Sequence, residues 1–225
     1  MIGHPNRLRR ARRVRPSVPR EVLVFWANVR RQTACHTTAL QLAYESACDV
    51  VCIQEPYVSA PTKKTGHPAY DCYAPTDEWD SSDPISFELE RPRVLTYVRK
   101  NSGLNAQQHR SSQDRDLLWV NVNGFLILNI YRQPTTDKVI DYVTNLAPPQ
   151  NSLIGGDFNA RNEAFEPGVA NANRGGEIAQ WSSDSGLDFI GEPGVPTHQA
   201  GHVLDLTFSN IPYASTVFRE DLATG

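Results

Sequence analysis

Residues 153–160 read LIGGDFNA. With the two residues before them they predict a buried strand over 151–157 that ends in a glycine-rich turn. A carboxylate directly after a buried strand is presented from a rigid element with its backbone fixed. Asp157, with Asn159 two residues on, is therefore a candidate for chemistry. Gly-Asp-x-Asn by itself is also a common turn, because Asp and Asn form Asx-turns and Gly supplies positive φ. The weight comes from the strands around it.

Upstream, DLLWVNVN (116–123) and FLILNIYR (125–132) read as two strands joined at Asn123-Gly124, a strong hairpin signal. Residues 135–146 have helical spacing, with Val139, Ile140, Val143 and Leu146 on one stripe. Downstream, 176–184 is a helix with Ile178 and Trp181 inward. LDFI (187–190), HVLDLTFSN (202–210) and ASTVF (214–218) read as closing strands. Nearer the start, VLVFWANV (22–29) and DVVCIQ (49–54) are buried strands. Between them, 33–47 is helical, with Ala39, Leu40, Ala43, Tyr44 and Ala47 on one stripe. Strand–helix–strand at that length predicts a crossover unit. RVLTYVRK (93–100) adds a further strand. Four prolines break 56–75 into loops, and 77–90, with six acidic residues, reads as an acidic surface loop. Long hairpins mixed with a few helices predict an α+β fold. Two packed, mainly antiparallel β-sheets are flanked by helices.

The 225 residues hold 22 Lys+Arg and 25 Asp+Glu, a net charge of −3, with 40% hydrophobic residues, 14 Gly and 16 Pro. Such values exclude a collagen, a coiled coil and a wholly disordered chain. The apolar runs are too short to span a bilayer, which predicts no membrane partner. Residues 1–20 carry seven arginines and no acid, so the other 205 residues hold 15 basic and 25 acidic side chains, a net of −10. The leader reads as a disordered basic extension able to bind nucleic acid or a nuclear import receptor. The acidic body argues against indiscriminate coating of DNA. Cys35, Cys48, Cys52 and Cys72 form no C-x-x-C pair and read as small hydrophobes kept reduced.

Several strands end in polar groups. Asn28 ends the first, Glu55 the second and Tyr131 ends FLILNIY. Asp205 sits inside VLDLTF, where a carboxylate needs a partner. Oxygen groups without paired His or Cys suit Mg²⁺ or Mn²⁺ rather than Zn²⁺.

In chain order, ANV at Asn28, VVCIQEP at Glu55, LNIYRQP at Tyr131, LIGGDFNA at Asp157 and Asn159, PTH at Thr197 and VLDLTFSN at Asp205 form one set. The set resembles the endonuclease/exonuclease/phosphatase superfamily, the fold of deoxyribonuclease I and the apurinic/apyrimidinic endonucleases. The wording QEPYV, YRQP, GGDFNA and LDLTFSN most resembles the endonuclease domain of non-LTR (LINE-type) retrotransposon polyproteins. The resemblance covers about residues 22–218. It implies a four-layer deoxyribonuclease I-like fold over 21–225.

The resemblance also implies roles. Glu55, helped by Asn28, would hold Mg²⁺, with Mn²⁺ as a substitute. Asp157 would orient or deprotonate the attacking water, and Asn159 would support the same region. Tyr131 would donate to a phosphate oxygen. Asp205 would pair with a histidine and fix its orientation. Thr197, Arg132, His202 and Tyr57 would contact DNA. The reaction would be in-line attack on a phosphodiester of double-stranded DNA, leaving 3′-OH and 5′-phosphate. In a retrotransposon that 3′-OH primes reverse transcription, which implies a reverse transcriptase domain and element RNA as partners, in the nucleus. The family's final Ser-Asp-His is absent from the 225 residues, which end DLATG. The expectation is a domain cut before that motif, without a closing strand and weak or inactive as it stands. Of the six histidines, His198 and His202 lie nearest Asp205 in sequence. Two other readings are a catalytically silent DNA-binding or scaffold module, and a phosphatase or phosphodiesterase on small phosphorylated substrates.

Overall fold

The computed structural model describes residues 21–59, 63–76, 79, 82–109 and 114–219. The basic leader lies outside the described residues, as do 220–225. Among the described residues the order is β1 (Val24–Asn28), α1 (Thr33–Glu45), β2 (Val50–Gln54), β3 (Val58–Ser59), β4 (Lys63–Lys64), β5 (Tyr70–Tyr73), α2 (Pro84–Glu90) and β6 (Val94–Arg99). There follow β7 (Ala106–His109), β8 (Leu117–Val122), β9 (Phe125–Tyr131), α3 (Lys138–Thr144), β10 (Ser152–Asp157), α4 (Gly175–Asp184), β11 (Asp188–Phe189) and β12 (Asp205–Ser209).

Two mixed sheets carry the fold, in the orders β1-β2-β6-β5 and β11-β12-β10-β9-β8-β7. β1 pairs parallel to β2 through α1, the crossover expected from 22–54. β9 pairs parallel to β10, and the other pairs within the two sheets are antiparallel. Asn123 and Gly124 both have positive φ, at 52° and 90°, as a two-residue turn between β8 and β9 requires. α1 packs Ala39, Leu40 and Ala43 on the outer face of the first sheet. Val139, Ile140 and Val143 of α3, with Ile178 and Trp181 of α4, cover the outer face of the second. Between the sheets lie Val50, Cys52, Val94, Val98, Leu118, Val120, Val122 and Ile127. The result is four layers: helix, sheet, sheet, helices.

A buried amide and a close glycine–indole approach fix one sheet on the other. Asn129 of β9 is fully buried, and its Nδ2 donates to Leu95 O at 2.9 Å, Ile53 O at 3.3 Å and Thr96 Oγ1 at 3.3 Å. Its Oδ1 accepts Gln54 Nε2 at 2.6 Å. In β10, Gly155 lets the Trp26 indole of β1 lie against the backbone: a Cβ there would meet the ring at 3.0 Å. Gly156 has φ +136°, and a Cβ would stand 2.0 Å from Ile130 O. The glycine pair is thus required by close approach on both sides.

Three local expectations are corrected. Within 77–90, the stretch 84–90 is the helix α2. Asp83 caps it by accepting Ile85 N–H and Ser86 N–H, and Pro84 opens it. Residues 214–218, expected as a strand, form no ladder; Ala214 N–H turns back to Ile211 O and Val217 is exposed. β-branched composition makes a strand only beside a partner edge. Tyr44, expected inside α1's apolar stripe, is exposed and lies under the Arg99 guanidinium, 5.1 Å from the ring centroid. Cys48 and Cys52 are buried, Cys35 and Cys72 half-buried, and none of the four is joined in a disulfide.

Candidate active site

Strand ends from both sheets meet at one edge of the sandwich. Asn28 lies beside Gln54 in the β1–β2 register, and Glu55 follows. In the second sheet Tyr131 stands opposite Asp157, and Asp205 opposite Asp157 on its other side. Tyr131, Asp157 and Asp205 therefore form a row across three neighbouring strands. Asn28 closes the gap between sheets: its Nδ2 donates to Glu55 Oε1 at 3.1 Å and to Asp157 Oδ2 at 2.9 Å. Its Oδ1 accepts Arg30 N–H at 2.9 Å, which fixes the orientation of the amide. Asn28 thus meets the carboxylates with its nitrogen. In this geometry Asn28 is a donor that clamps two acids.

Glu55 has φ 46°, a left-handed backbone that costs a non-glycine residue roughly 1–2 kcal/mol. Its N–H donates to Arg93 O and its carbonyl accepts Arg31 N–H at 2.7 Å, so the turn is held from both sides. Asn159 has φ 47° and donates its N–H to Asp157 Oδ1 at 3.0 Å. Its side chain donates to Arg132 O at 2.8 Å. Strained, over-determined turns of this kind gather where side chains are aimed.

The electrostatics follow from burial. Asp157 is pushed above the usual carboxylate range, first by burial and then by the Asp205 charge, against the hydrogen bonds from Asn28 and Asn159. Asp205 is pushed up by burial, opposed by a hydrogen bond from Thr197 and by the charges of His198 and Arg30. A buried acid and its half-buried neighbour resist carrying two charges at once. Burial, the charges of Glu55 and Asp157, and a hydrogen bond to Glu55 raise Tyr131. It stays a protonated donor.

The residues expected to contact DNA are placed variously. Arg132 is 3% exposed, and its guanidinium is turned inward, donating to Asn159 O at 3.0 Å and Asp137 Oδ1 at 2.8 Å. It holds the Asn159 turn. Thr197 Oγ1 accepts Leu204 N–H and Asp205 N–H at 3.0 and 2.9 Å, pinning the 197–203 loop onto β12. His202 bridges Glu166 Oε1 and Arg161 Nη1, each at 3.0 Å. Tyr57 is half-buried, and its N–H donates to His36 Nδ1 at 3.1 Å. His198 is exposed on the loop beside Asp205, its Nδ1 accepting Ala200 N–H. The residues missed from sequence are Arg31 and Glu88. Arg31 joins the site through Glu55, with Nε 3.3 Å from Glu55 Oε2. The one available signal was the Arg30-Arg31 pair directly after the Asn28 strand end.

Among the described residues, no three His, Cys, Asp or Glu side chains form a ready-made metal cage. Mg²⁺ needs none, since it keeps several waters and takes one or two carboxylates. Glu55, with its side chain 20% exposed at the cleft rim, is such a carboxylate. The donor set is all oxygen, which fits Mg²⁺ or Mn²⁺ and not Zn²⁺.

Two mixed sheets packed face to face and flanked by helices, with acids from both sheets at one edge, make a deoxyribonuclease I-like fold. Residues 125–223, which contain Tyr131, Asp157, Asn159 and Asp205, match the family described as Endonuclease-reverse transcriptase. The fold is shared with the endonuclease domain of TRAS1, a telomere-specific non-LTR retrotransposon. That match has a TM-score of 0.65 at 18% identity and covers 84% of this chain and 85% of that one. It is shared also with the AP endonuclease LMAP from Leishmania major, with a TM-score of 0.55 at 12% identity over 83% of this chain and 78% of that one. No curated protein sequence matches the chain. The family match and the motif resemblance overlap over β9 to β12. Asn28, Glu55 and Tyr57 lie outside the matched segment.

Proposed function

We propose that the cleft is the active site of a divalent-metal-dependent DNA endonuclease, which nicks duplex DNA to leave a 3′-OH for reverse transcription by a non-LTR retrotransposon. The observation that carries this reading is Asn28 bridging Glu55 and Asp157 across the two sheets. It brings a rim carboxylate, a buried carboxylate and the Tyr131 donor to one place. Mg²⁺ held by Glu55 would neutralise a phosphate oxygen and stabilise the leaving 3′ oxygen. Asp157, oriented by Asn28 and by Asn159 N–H, positions the attacking water and takes its proton. The raised Tyr131 hydroxyl donates to a phosphate oxygen as charge develops on it. Arg132 keeps the Asn159 turn in register with Tyr131.

A double-stranded DNA substrate, a reverse transcriptase domain with its element RNA, and a nuclear location belong to the same reading. No helix among the described residues is long and apolar enough to cross a membrane. Supercoiled plasmid incubated with Mg²⁺ or with EDTA tests the reading. Nicks formed only with Mg²⁺, and extended by a DNA polymerase without prior end repair, support it. Plasmid binding without nicking would favour a silent DNA-binding module. Hydrolysis of a small phosphomonoester with no nicking would favour a phosphatase.

A further inference from the structure

Arg31 is held at the cleft by its backbone as well as its side chain. Its φ is 58°, directly after Arg30 at 49°, and two consecutive left-handed non-glycine residues are a costly turn. Arg31 N–H is tied to Glu55 O at 2.7 Å, so the turn is anchored to the acid itself. The side chain then spans two carboxylates: Nε lies 3.3 Å from Glu55 Oε2, and Nη1 donates to Glu88 Oε2 at 3.2 Å. Glu88 lies on α2 and is also gripped by Arg91 through Nε and Nη2, each at 3.2 Å. At Glu55, Oε1 already accepts Asn28 Nδ2 at 3.1 Å. A cation approaching Glu55 therefore meets Arg31 on the remaining oxygen.

We infer that Arg31 is a resident counter-charge for Glu55 that yields its oxygen when a divalent cation binds, with Glu88 as the partner that retains it. The inference rests on the reading of Glu55 as the cation-holding residue. Arg31 neutralises the acid while the cleft is empty of cation and sets the affinity at which Mg²⁺ or Mn²⁺ can enter. Arg30 is an internal control. It carries the same charge one residue earlier, is exposed, acts on Asp205 through space, and forms no ion pair among the described residues. Bulk charge would make the two arginines equivalent; competition for Glu55 makes them different.

Titrating the full 225-residue chain with MnCl₂ and following free Mn²⁺ by electron paramagnetic resonance tests this. Melting curves establish that each variant is folded. Arg31→Ala should bind Mn²⁺ about two- to fivefold more tightly than wild type, the size of a partly exposed ion pair. Arg30→Ala should change affinity less than Arg31→Ala does. Glu88→Gln leaves Arg31 with Glu55 alone and should weaken binding, and that effect should shrink when Arg31→Ala is also present. Equal affinities for wild type and Arg31→Ala, or equal gains from Arg30→Ala and Arg31→Ala, overturn the inference while Glu55→Gln still weakens binding. Failure of Glu55→Gln to weaken binding overturns the metal reading itself, and the inference with it.

Discussion

Replacing Asn129 with Leu should unfasten the two sheets beside the site. Asn129 is fully buried and Gln54 is 1% exposed. The change removes one acceptor and a set of donors. Gln54 Nε2 would keep only Cys52 O, at 3.5 Å, and Leu95 O and Thr96 Oγ1 would lose their side-chain donor. A buried polar group left unpaired costs about 1–3 kcal/mol. With Gln54 the main orphan and the carbonyls still in the β2–β6 ladder, the expected loss is about 2–4 kcal/mol. At roughly 2 kcal/mol per molar urea, that lowers the unfolding midpoint by about 1–2 M. Adding Gln54→Leu removes the orphan, so the double variant should recover at least about 1 kcal/mol over the sum of the singles. Because Gln54 precedes Glu55 and Asn129 lies two residues before Tyr131, nicking by the folded single variant should also fall. A loss below about 0.5 kcal/mol, or strict additivity in the double variant, would show that this contact does not tie the sheets.

Other perturbations separate further parts of the account. Gly156→Ala should cost more than about 4 kcal/mol, seen as loss of soluble protein, since its Cβ would meet Ile130 O at 2.0 Å. Gly155→Ala, facing the movable Trp26 ring at 3.0 Å, should cost only about 1–3 kcal/mol by melting. Arg132→Met should destabilise by about 2–4 kcal/mol and slow nicking; a change confined to DNA affinity would instead assign the side chain to substrate. Burial lowers His36 to about 4 from 6.5. The unfolded chain therefore binds the extra proton first, so stability is fully present above pH 6.5 and falls as pH drops toward 4. The gap is worth roughly 3 kcal/mol. Urea midpoints measured between pH 7 and pH 4 should show that fall, and His36→Gln should flatten it.

Local chemistry was readable from the sequence wherever spacing alone decides it. LIGGD gave a strand and turn, Asn123-Gly124 the hairpin, and Ile178 with Trp181 the inner face of α4. The row Tyr131, Asp157 and Asp205 was legible as three strand-end or in-strand polar groups. Its geometry was not, because register between β9, β10 and β12 is set by pairing distant in sequence. The α2 helix was hidden by its acidic composition, although Asp83-Pro84 is a cap signal when read for backbone hydrogen bonds. Arg132 shows the limit most plainly. An arginine after a strand end reads as a surface cation. Only the fold brings Asp137 and the Asn159 carbonyl to its guanidinium. The chain from Tyr57 N–H through His36 and the Tyr97 hydroxyl to Thr65 O joins four separate segments, and no spacing could have announced it.

The central claim is that Glu55 and Asp157 form one metal-dependent hydrolytic site. The most direct measurement is the rate of supercoiled-plasmid nicking in Mg²⁺ by wild type, Glu55→Gln and Asp157→Asn, each shown by circular dichroism to be folded. The account predicts nicking by wild type that EDTA abolishes, and a fall of at least about a hundredfold in each variant, the scale of removing a positioned general base or charge stabiliser. Wild-type rates in either variant, or nicking that persists in EDTA, would contradict it.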